Sequence, residues 1–192
     1  PARSARAAGA PAPHITPNDV GDFLEENAEA VSMVEAGKQL RYVVDVTPPD
    51  LVLEADRERL HQVVTNLLQN AIRHSPQGGE IRLEAYPVDD DVVLEVVDEG
   101  PGIAKEDRER IFERFARASA TGAHTTTGGS TGGTGIGLAI VRWAVDLHGG
   151  RIEVADSRRG ATMRVTLPAH AGSAPFPPED GDASYTAHPD VR

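Results

Sequence analysis

There is no cysteine anywhere in the 192 residues, so neither a disulfide nor a thiolate-bound metal can hold this fold together. Aromatic side chains make up only 4% of the chain, with a single tryptophan. The core must therefore be largely aliphatic. No apolar run approaches the roughly 20 residues of a membrane-spanning helix. Pro1 to Pro13 is rich in Ala, Pro and Arg and lacks the apolar stretch of a signal peptide. Positive charge is in deficit too: 19 Lys and Arg against 30 Asp and Glu leave a net charge of −11. That argues against a nucleic-acid partner, because phosphate backbones are gripped by dense Lys/Arg surfaces. Any phosphate bound here must be held by local dipoles, an arginine or a metal. The hydrophobic share, 39%, suffices for one domain of ordinary size with tails.

The most organised stretch runs from Leu60 to His74. Its apolar residues at 60, 63, 64, 67, 68 and 71 form the stripe of a helix with one buried face. Asp56 stands just ahead as the N-cap. Asn66 and Asn70 are four apart, so at about 100° per residue they share a line beside that stripe, and Arg73 follows one turn on. An Asn pair on a helix face is ordinarily just solvated. Here a buried face with two amides and a cation along its lip has the shape of a ligand-site wall.

In chain order, residues 1–16 read as a disordered leader. Pro17 to about Ala36 carries a helical pattern through Val20, Phe23, Leu24, Ala28, Val31 and Val34, stopped by Gly37. Leu40 to Val46 and Leu51 to Leu53 read as strands divided by Pro48-Pro49. After the central helix, Ile81 to Pro87 and Val92 to Val97 form a hairpin around the acidic turn Asp89-Asp90-Asp91. The second of these strands is so uniformly apolar that it belongs in mid-sheet, covered on both faces.

That strand runs straight into Asp98-Glu99-Gly100-Pro101-Gly102-Ile103. An aspartate before Gly-Pro-Gly is a common turn residue. At the end of a buried strand, however, a carboxylate is costly unless something donates to it. The exocyclic amine of adenine is such a donor, and Gly100 and Gly102 would let backbone approach the ring. Lys105 to Arg110 suggests a short helical turn, and Phe112 and Phe115 anchor their segment to the core.

Ala118 to Thr134 is rich in Gly, Ser, Thr and Ala and is too long for a casual connection, which favours a mobile lid. It empties into Gly133-Thr134-Gly135-Ile136-Gly137-Leu138 and a helix ending near Gly149-Gly150. Glycines that open a helix suit phosphate, since free N–H groups and the positive end of the dipole face the ligand. No Lys-Ser or Lys-Thr comes after them, so this is not a P-loop. The polar lid before it and the missing third glycine exclude a Rossmann fingerprint. Arg151 to Ala155 and Thr162 to Leu167 are two last strands, and residues 169–192 read as a disordered tail.

Asn66-x3-Asn70, Asp98-x-Gly100-x-Gly102, Phe112-x2-Phe115 and Gly133-x-Gly135-x-Gly137 stand in one order. Together they resemble the N, G1, F and G2 boxes of the sensor histidine kinase catalytic domain, within the GHKL ATPase superfamily. Gly160-Ala161-Thr162 resembles the last, G3, element in degraded form. The likeness covers residues 17–168. It implies a two-layer α/β sandwich, a mixed and mostly antiparallel sheet covered on one face by three helices. It also implies ATP and Mg²⁺ as cofactors, with Asn70 matching the family's magnesium ligand, a neutral amide among phosphate oxygens and waters. Asn66 matches the residue facing the phosphates and Asp98 the adenine-reading aspartate. Arg73 stands where the family usually has a lysine, and His74 where a ring lines the nucleotide. Gly100, Gly102 and Ile103 belong to the base side. Gly133, Thr134, Gly135, Ile136, Gly137 and Leu138 belong to the phosphate side, with Thr162 from the last box. Arg117 aligns with a lid arginine directed at the γ-phosphate, so Asn66 and Arg117 are the candidate catalytic residues.

The family's other half, a dimerising hairpin with a phosphoacceptor histidine, finds no match: His14-Ile15-Thr16-Pro17 lacks its pattern, and His61 and His148 read as helix-face residues. The resemblance therefore implies a catalytic domain of a larger sensor. Its partners would be the parent's dimerisation domain and a response regulator. The parent would sit in the membrane, and this piece would lie on the cytoplasmic side without touching it. Rival readings are a water-using GHKL ATPase of the gyrase, MutL or heat-shock-chaperone kind, an anti-sigma serine kinase, or a non-catalytic nucleotide-binding module. The first two carry a glutamate base where Asn66 stands, and an amide cannot accept a proton at neutral pH.

Overall fold

A computed structural model describes residues 13–34, 36–113 and 136–170. The expected lid, with Arg117, Gly133, Thr134 and Gly135, lies outside them. So do Phe115, residues 1–12 and the tail from 171.

The α-helix of the central stretch is α2 in the element order β1 (Ile15–Asp19), α1 (Val20–Val34), β2 (Arg41–Val46), β3 (Val52–Asp56), α2 (Arg57–His74), β4 (Glu80–Val88), β5 (Asp91–Val97), α3 (Gly137–Leu147), β6 (Arg151–Ala155) and β7 (Thr162–Pro168). Asp56 caps α2 as its position suggests, its side chain accepting from the amides of Glu58 and Arg59. The buried stripe is Leu60, Val63, Val64, Leu67, Leu68, Ala71 and Ile72. Each buried Val, Leu or Ile there contributes about 1.5–3 kcal/mol of apolar burial, so the helix is held by its packing more than by its two mid-helix asparagines.

Five strands form one sheet in the order β2-β4-β5-β7-β6. Only β2 and β4 run parallel; the other pairings are antiparallel. The apolar strand β5 is central, with Val92 to Val96 all buried. Alternation sends Val92, Leu94 and Val96 into the main core with Leu83, Met163 and Val165. Helices α1, α2 and α3 cover this face, over β2, over β4 and β5, and over β6 respectively. On the opposite face Glu95 is buried, and its carboxylate accepts from Arg164 Nε at 2.5 Å and from the Tyr86 hydroxyl at 3.3 Å. That satisfies a charge which would otherwise be costly to bury.

The structure departs from the sequence reading at the start. Residues 15–19 are a strand, not leader and helix, and α1 begins at Val20. Strand β3 extends to Asp56 and pairs with β1 in a small antiparallel sheet of its own, with Ile15 opposite Asp56. The pairing is tertiary, which is why a local reading of Thr16-Pro17 missed it. At the other end the chain stays with the body past Pro168, since the Ala169 carbonyl accepts from Glu54 and its amide donates to Asp90.

Candidate functional site

The site lies where the C-terminal half of α2, the end of β5 and the start of α3 converge. Asn66 and Asn70 are half-buried on α2 while Gln69 between them is exposed, so the two amides lie off the solvent face of the helix. The Asn66 amide nitrogen donates to the Gln62 carbonyl at 2.7 Å, which leaves its Oδ1 directed at α3. A Cβ on Gly137 would stand 2.9 Å from that oxygen.

The N-terminus of α3 has Ile136 as its cap residue, and among the described residues no side chain caps it. The first intrahelical bond is Ile140 N to Ile136 O at 2.9 Å. The amides of Gly137, Leu138 and Ala139 are thus left without intrahelical partners, beside Asn66 and at the positive end of a helix dipole. This is an anion-binding arrangement. Leu138 packs against the core and fixes the helix start.

Asp98 is 3% exposed at the end of β5. Its Oδ1 accepts from the Gly100 amide at 2.8 Å and the Ala161 amide at 3.2 Å. Its Oδ2 has no partner among the described residues. One oxygen is therefore held by the backbone and the other can receive a ligand's N–H. The turn that makes this possible is built of glycine. Gly160 has φ +70, and a Cβ on it would run into the Asp98 carbonyl oxygen. Gly102, at φ +78, would meet the Gly160 carbonyl at 2.9 Å. Both conformations and both close approaches favour residues without a side chain.

His74 ends α2, its carbonyl only 2.8 Å from where a Cβ on Gly100 would be. Protein packed against this exposed ring holds it below the usual histidine range; Asp98 pulls it up, and Arg73 and Lys38 push it down again. Ile103 packs on the core just after the glycine turn. Arg73 is exposed at the lip. Phe112 is buried, the expected anchor, with Arg142 stacked 5.9 Å from its ring centroid.

Thr162 does not join the group. Its register partners are Val97 and Ala155, which alternation places on the face away from the helices, so the last glycine turn contributes through Gly160 and Ala161 instead. Sequence reasoning also passed over Lys38. Its Nζ donates to the carbonyls of Ile72, Arg73 and Ser75 at 2.7, 2.8 and 2.9 Å, closing the end of α2 that carries Arg73 and His74. The presence of Lys after a helix-stopping glycine was a weak signal, since its partners are more than thirty residues away.

Residues 55–171 match the family of histidine kinase-, DNA gyrase B-, and HSP90-like ATPases, and the chain belongs to that family as an ATP-binding catalytic domain of the histidine kinase kind. Over 149 residues it is 38% identical to the histidine protein kinase DivJ of Caulobacter vibrioides, covering 74% of this chain and 24% of that protein. The chain thus spans about a quarter of such a relative. The catalytic domain of histidine kinase ThkA superposes with a TM-score of 0.70 at 26% identity, covering 83% of this chain and 98% of that one. Full-length ShkA in complex with AMPPNP gives 0.71 at 31% identity, covering 84% and 32%. Among the described residues no helix is long and apolar enough to cross a membrane.

Proposed function

We propose that this chain binds Mg²⁺–ATP and presents its γ-phosphate to a histidine on the dimerisation domain of a parent sensor kinase, for onward transfer to a response regulator. The observation that carries the reading is the pairing of two half-sites across α2. Among the described residues, Asp98 has one carboxylate oxygen without a partner, which suits an exocyclic amine, and the amides of Gly137 to Ala139 lack intrahelical partners, which suits an anion. A purine nucleotide with a phosphate tail has those two features at its two ends. Asn66 and Asn70 lie between them.

The donor set suits magnesium brought in by the nucleotide. Among the described residues there is no cluster of three or more His, Cys, Asp or Glu that could cage an ion. Magnesium in nucleotide sites takes most of its oxygens from phosphate and water, and Asn70 would add one neutral amide oxygen without competing for charge. When bound, the ion would neutralise charge developing on the phosphoryl group. Asn66 and the α3 amides would orient the same phosphates, and Arg117 is the candidate for the γ-phosphate.

ThkA has been captured in complex with the response regulator TrrA, which supports a partner of that class here. The parent would be a membrane sensor with this domain on the cytoplasmic side. The test supplies the parent's dimerisation hairpin to this chain with γ-labelled ATP. Acid-labile label on a hairpin histidine is expected; label only on serine, or none while ATP binds normally, would favour the rival readings.

A further inference from the structure

His148 is the C-cap residue of α3, and both nitrogens of its ring are engaged with backbone. Nε2 receives the amide of Asp56 at 3.0 Å, and Nδ1 lies 2.7 Å from the Ala144 carbonyl. An amide can only donate and a carbonyl can only accept, so the ring must carry its hydrogen on Nδ1 and a lone pair on Nε2. It is a neutral imidazole in one fixed tautomer.

Its partner is the hub of the α2 N-terminus. Asp56 Oδ1 accepts from Glu58 and Arg59, both at 3.1 Å, while Oδ2 accepts from the His14 amide at 2.9 Å. The end of α3 is thus tied to the N-cap residue of α2. At the other end of the same pair, Gly137 abuts Asn66. The contacts are about 15 Å apart along α2 and about 16 Å apart along α3, at 1.5 Å per residue. Between them the Arg59 guanidinium sits 4.8 Å from the centroid of the Trp143 ring. Two antiparallel helices held by a hydrogen bond at one point and by close packing at another resist sliding past each other.

We propose that His148 is a positioning residue for nucleotide binding, resting on the nucleotide-site assignment of Proposed function. By fixing the register of α3 against α2, it sets where the free amides of α3 stand relative to Asn66 and Asn70. Nothing at His148 touches the ligand; its effect passes through Asp56 and the two helices. Gly149, at φ +68, then turns the chain away, and Gly150 lies so close to Thr166 and Leu167 that no side chain fits, which holds the cap in place from the sheet side.

The test compares the unsubstituted chain, His148→Ala, His148→Gln and Leu24→Ala by calorimetry with Mg²⁺–ATP, below the melting temperature of every variant. Glutamine places an oxygen acceptor near Nε2; Leu24 is a buried α1 residue away from α3, included as a purely destabilised control. Loss of the tie in His148→Ala is expected to weaken ATP binding about fivefold, His148→Gln to recover most of it, and Leu24→Ala to bind as the unsubstituted chain does. Without nucleotide, ¹⁵N NMR of the unsubstituted chain should show the Nδ1–H tautomer at His148. His148→Ala should speed amide exchange at Glu58, Arg59, Leu138 and Ala139. Equal affinity of the unsubstituted chain and His148→Ala, equal weakening in Leu24→Ala, failure of glutamine to rescue, or the opposite tautomer would each overturn the proposal. Absence of ATP binding by the unsubstituted chain itself would overturn the nucleotide-site assignment as well, while the tautomer and exchange would still report on the tie.

Discussion

The first residue of α3 and the Asn66 amide of α2 are in direct apposition: a Cβ on Gly137 would lie 2.9 Å from Asn66 Oδ1. The fold itself has little objection to alanine there, which is the better helix former by about 1 kcal/mol. What must yield is the Asn66 side chain. Gly137→Ala should therefore melt within about 2 °C of the unsubstituted chain yet bind ATP about tenfold more weakly. Thermal melts and calorimetry on the same sample check both halves, and unchanged affinity would mean that Asn66 need not keep its present place.

Asp98 divides its two oxygens between fold and ligand. Asp98→Asn keeps an oxygen for the Gly100 and Ala161 amides but puts an amino group where Oδ2 stood. The variant should stay folded and lose about 1–3 kcal/mol of ATP binding, tenfold to about a hundredfold. Its preference should shift toward a purine with a carbonyl in place of the amine, so GTP or inosine triphosphate should gain relative to ATP. A variant that discriminates as the unsubstituted chain does would remove Asp98 from base recognition.

Acid should weaken the same architecture at Asp56. Burial pushes this carboxyl up, but the amides of His14, Arg59 and Glu58 together hold it below its usual value of 3.8. A carboxyl depressed in the folded state contributes stability that is fully present above its unfolded value. That contribution is lost as pH falls below about 4 and through the folded value. Asn is as good an N-cap as Asp, but its amino group cannot accept from the His14 amide as Oδ2 does, so Asp56→Asn should lose about 1 kcal/mol at pH 7 and flatten the loss of stability between about pH 4 and pH 2. Denaturation midpoints measured across that range decide it; parallel curves for both proteins would place the acid sensitivity elsewhere.

Asn70 and Gln69 separate ligand face from helix propensity. They are neighbours with similar amides, yet Asn70 is half-buried at the lip and Gln69 is exposed. Asn70→Ala should weaken Mg²⁺-dependent ATP binding about tenfold, whereas Gln69→Ala should leave it within about twofold. If metal-free nucleotide binding falls as much as the Mg²⁺-dependent part in Asn70→Ala, the residue positions phosphate and not the ion.

What the sequence made legible was whatever depends on local periodicity or on one residue type at one place. The α2 stripe, the Asp56 cap, the hairpin at Asp89 to Asp91 and the central place of β5 belong to that kind. Strand β1 does not, because Thr16-Pro17 has no strand pattern until Leu53 and Ala55 supply partners. Within the candidate site, Asn66 stands against Gly137, Asp98 is buried at the glycine turn, and Asn70 is half-buried one turn beyond Asn66. The Ala161 amide, the Lys38 cap and the His148 tie were hidden, since each acts through backbone atoms of residues far along the chain. Backbone donors and acceptors have no sequence signature.

The last expectation concerns what this chain cannot do alone. Transfer of a phosphoryl group is mostly a matter of holding the acceptor in line with the γ-phosphate and stabilising the charge that develops. Water as acceptor would need a base, and in the proposed arrangement the residue beside the phosphates would be Asn66. Its amide nitrogen is already donated to Gln62, and its oxygen cannot take a proton at neutral pH. Asp98 has one oxygen bound to the backbone and in the proposed arrangement would stand at the adenine end. Three histidines lie on or next to these helices: His61 is exposed on α2 with its ring beside Thr65, His148 is locked between Asp56 and Ala144, and His74 lies beside Asp98 and Gly100. The isolated chain should therefore bind ATP, hydrolyse it very slowly, and label none of its own histidines. Malachite-green turnover and a γ-label chase on the chain alone test this directly. Rapid phosphate release would point to a water-activating group within the chain, and stable acid-labile label on it would mean that an acceptor is already present.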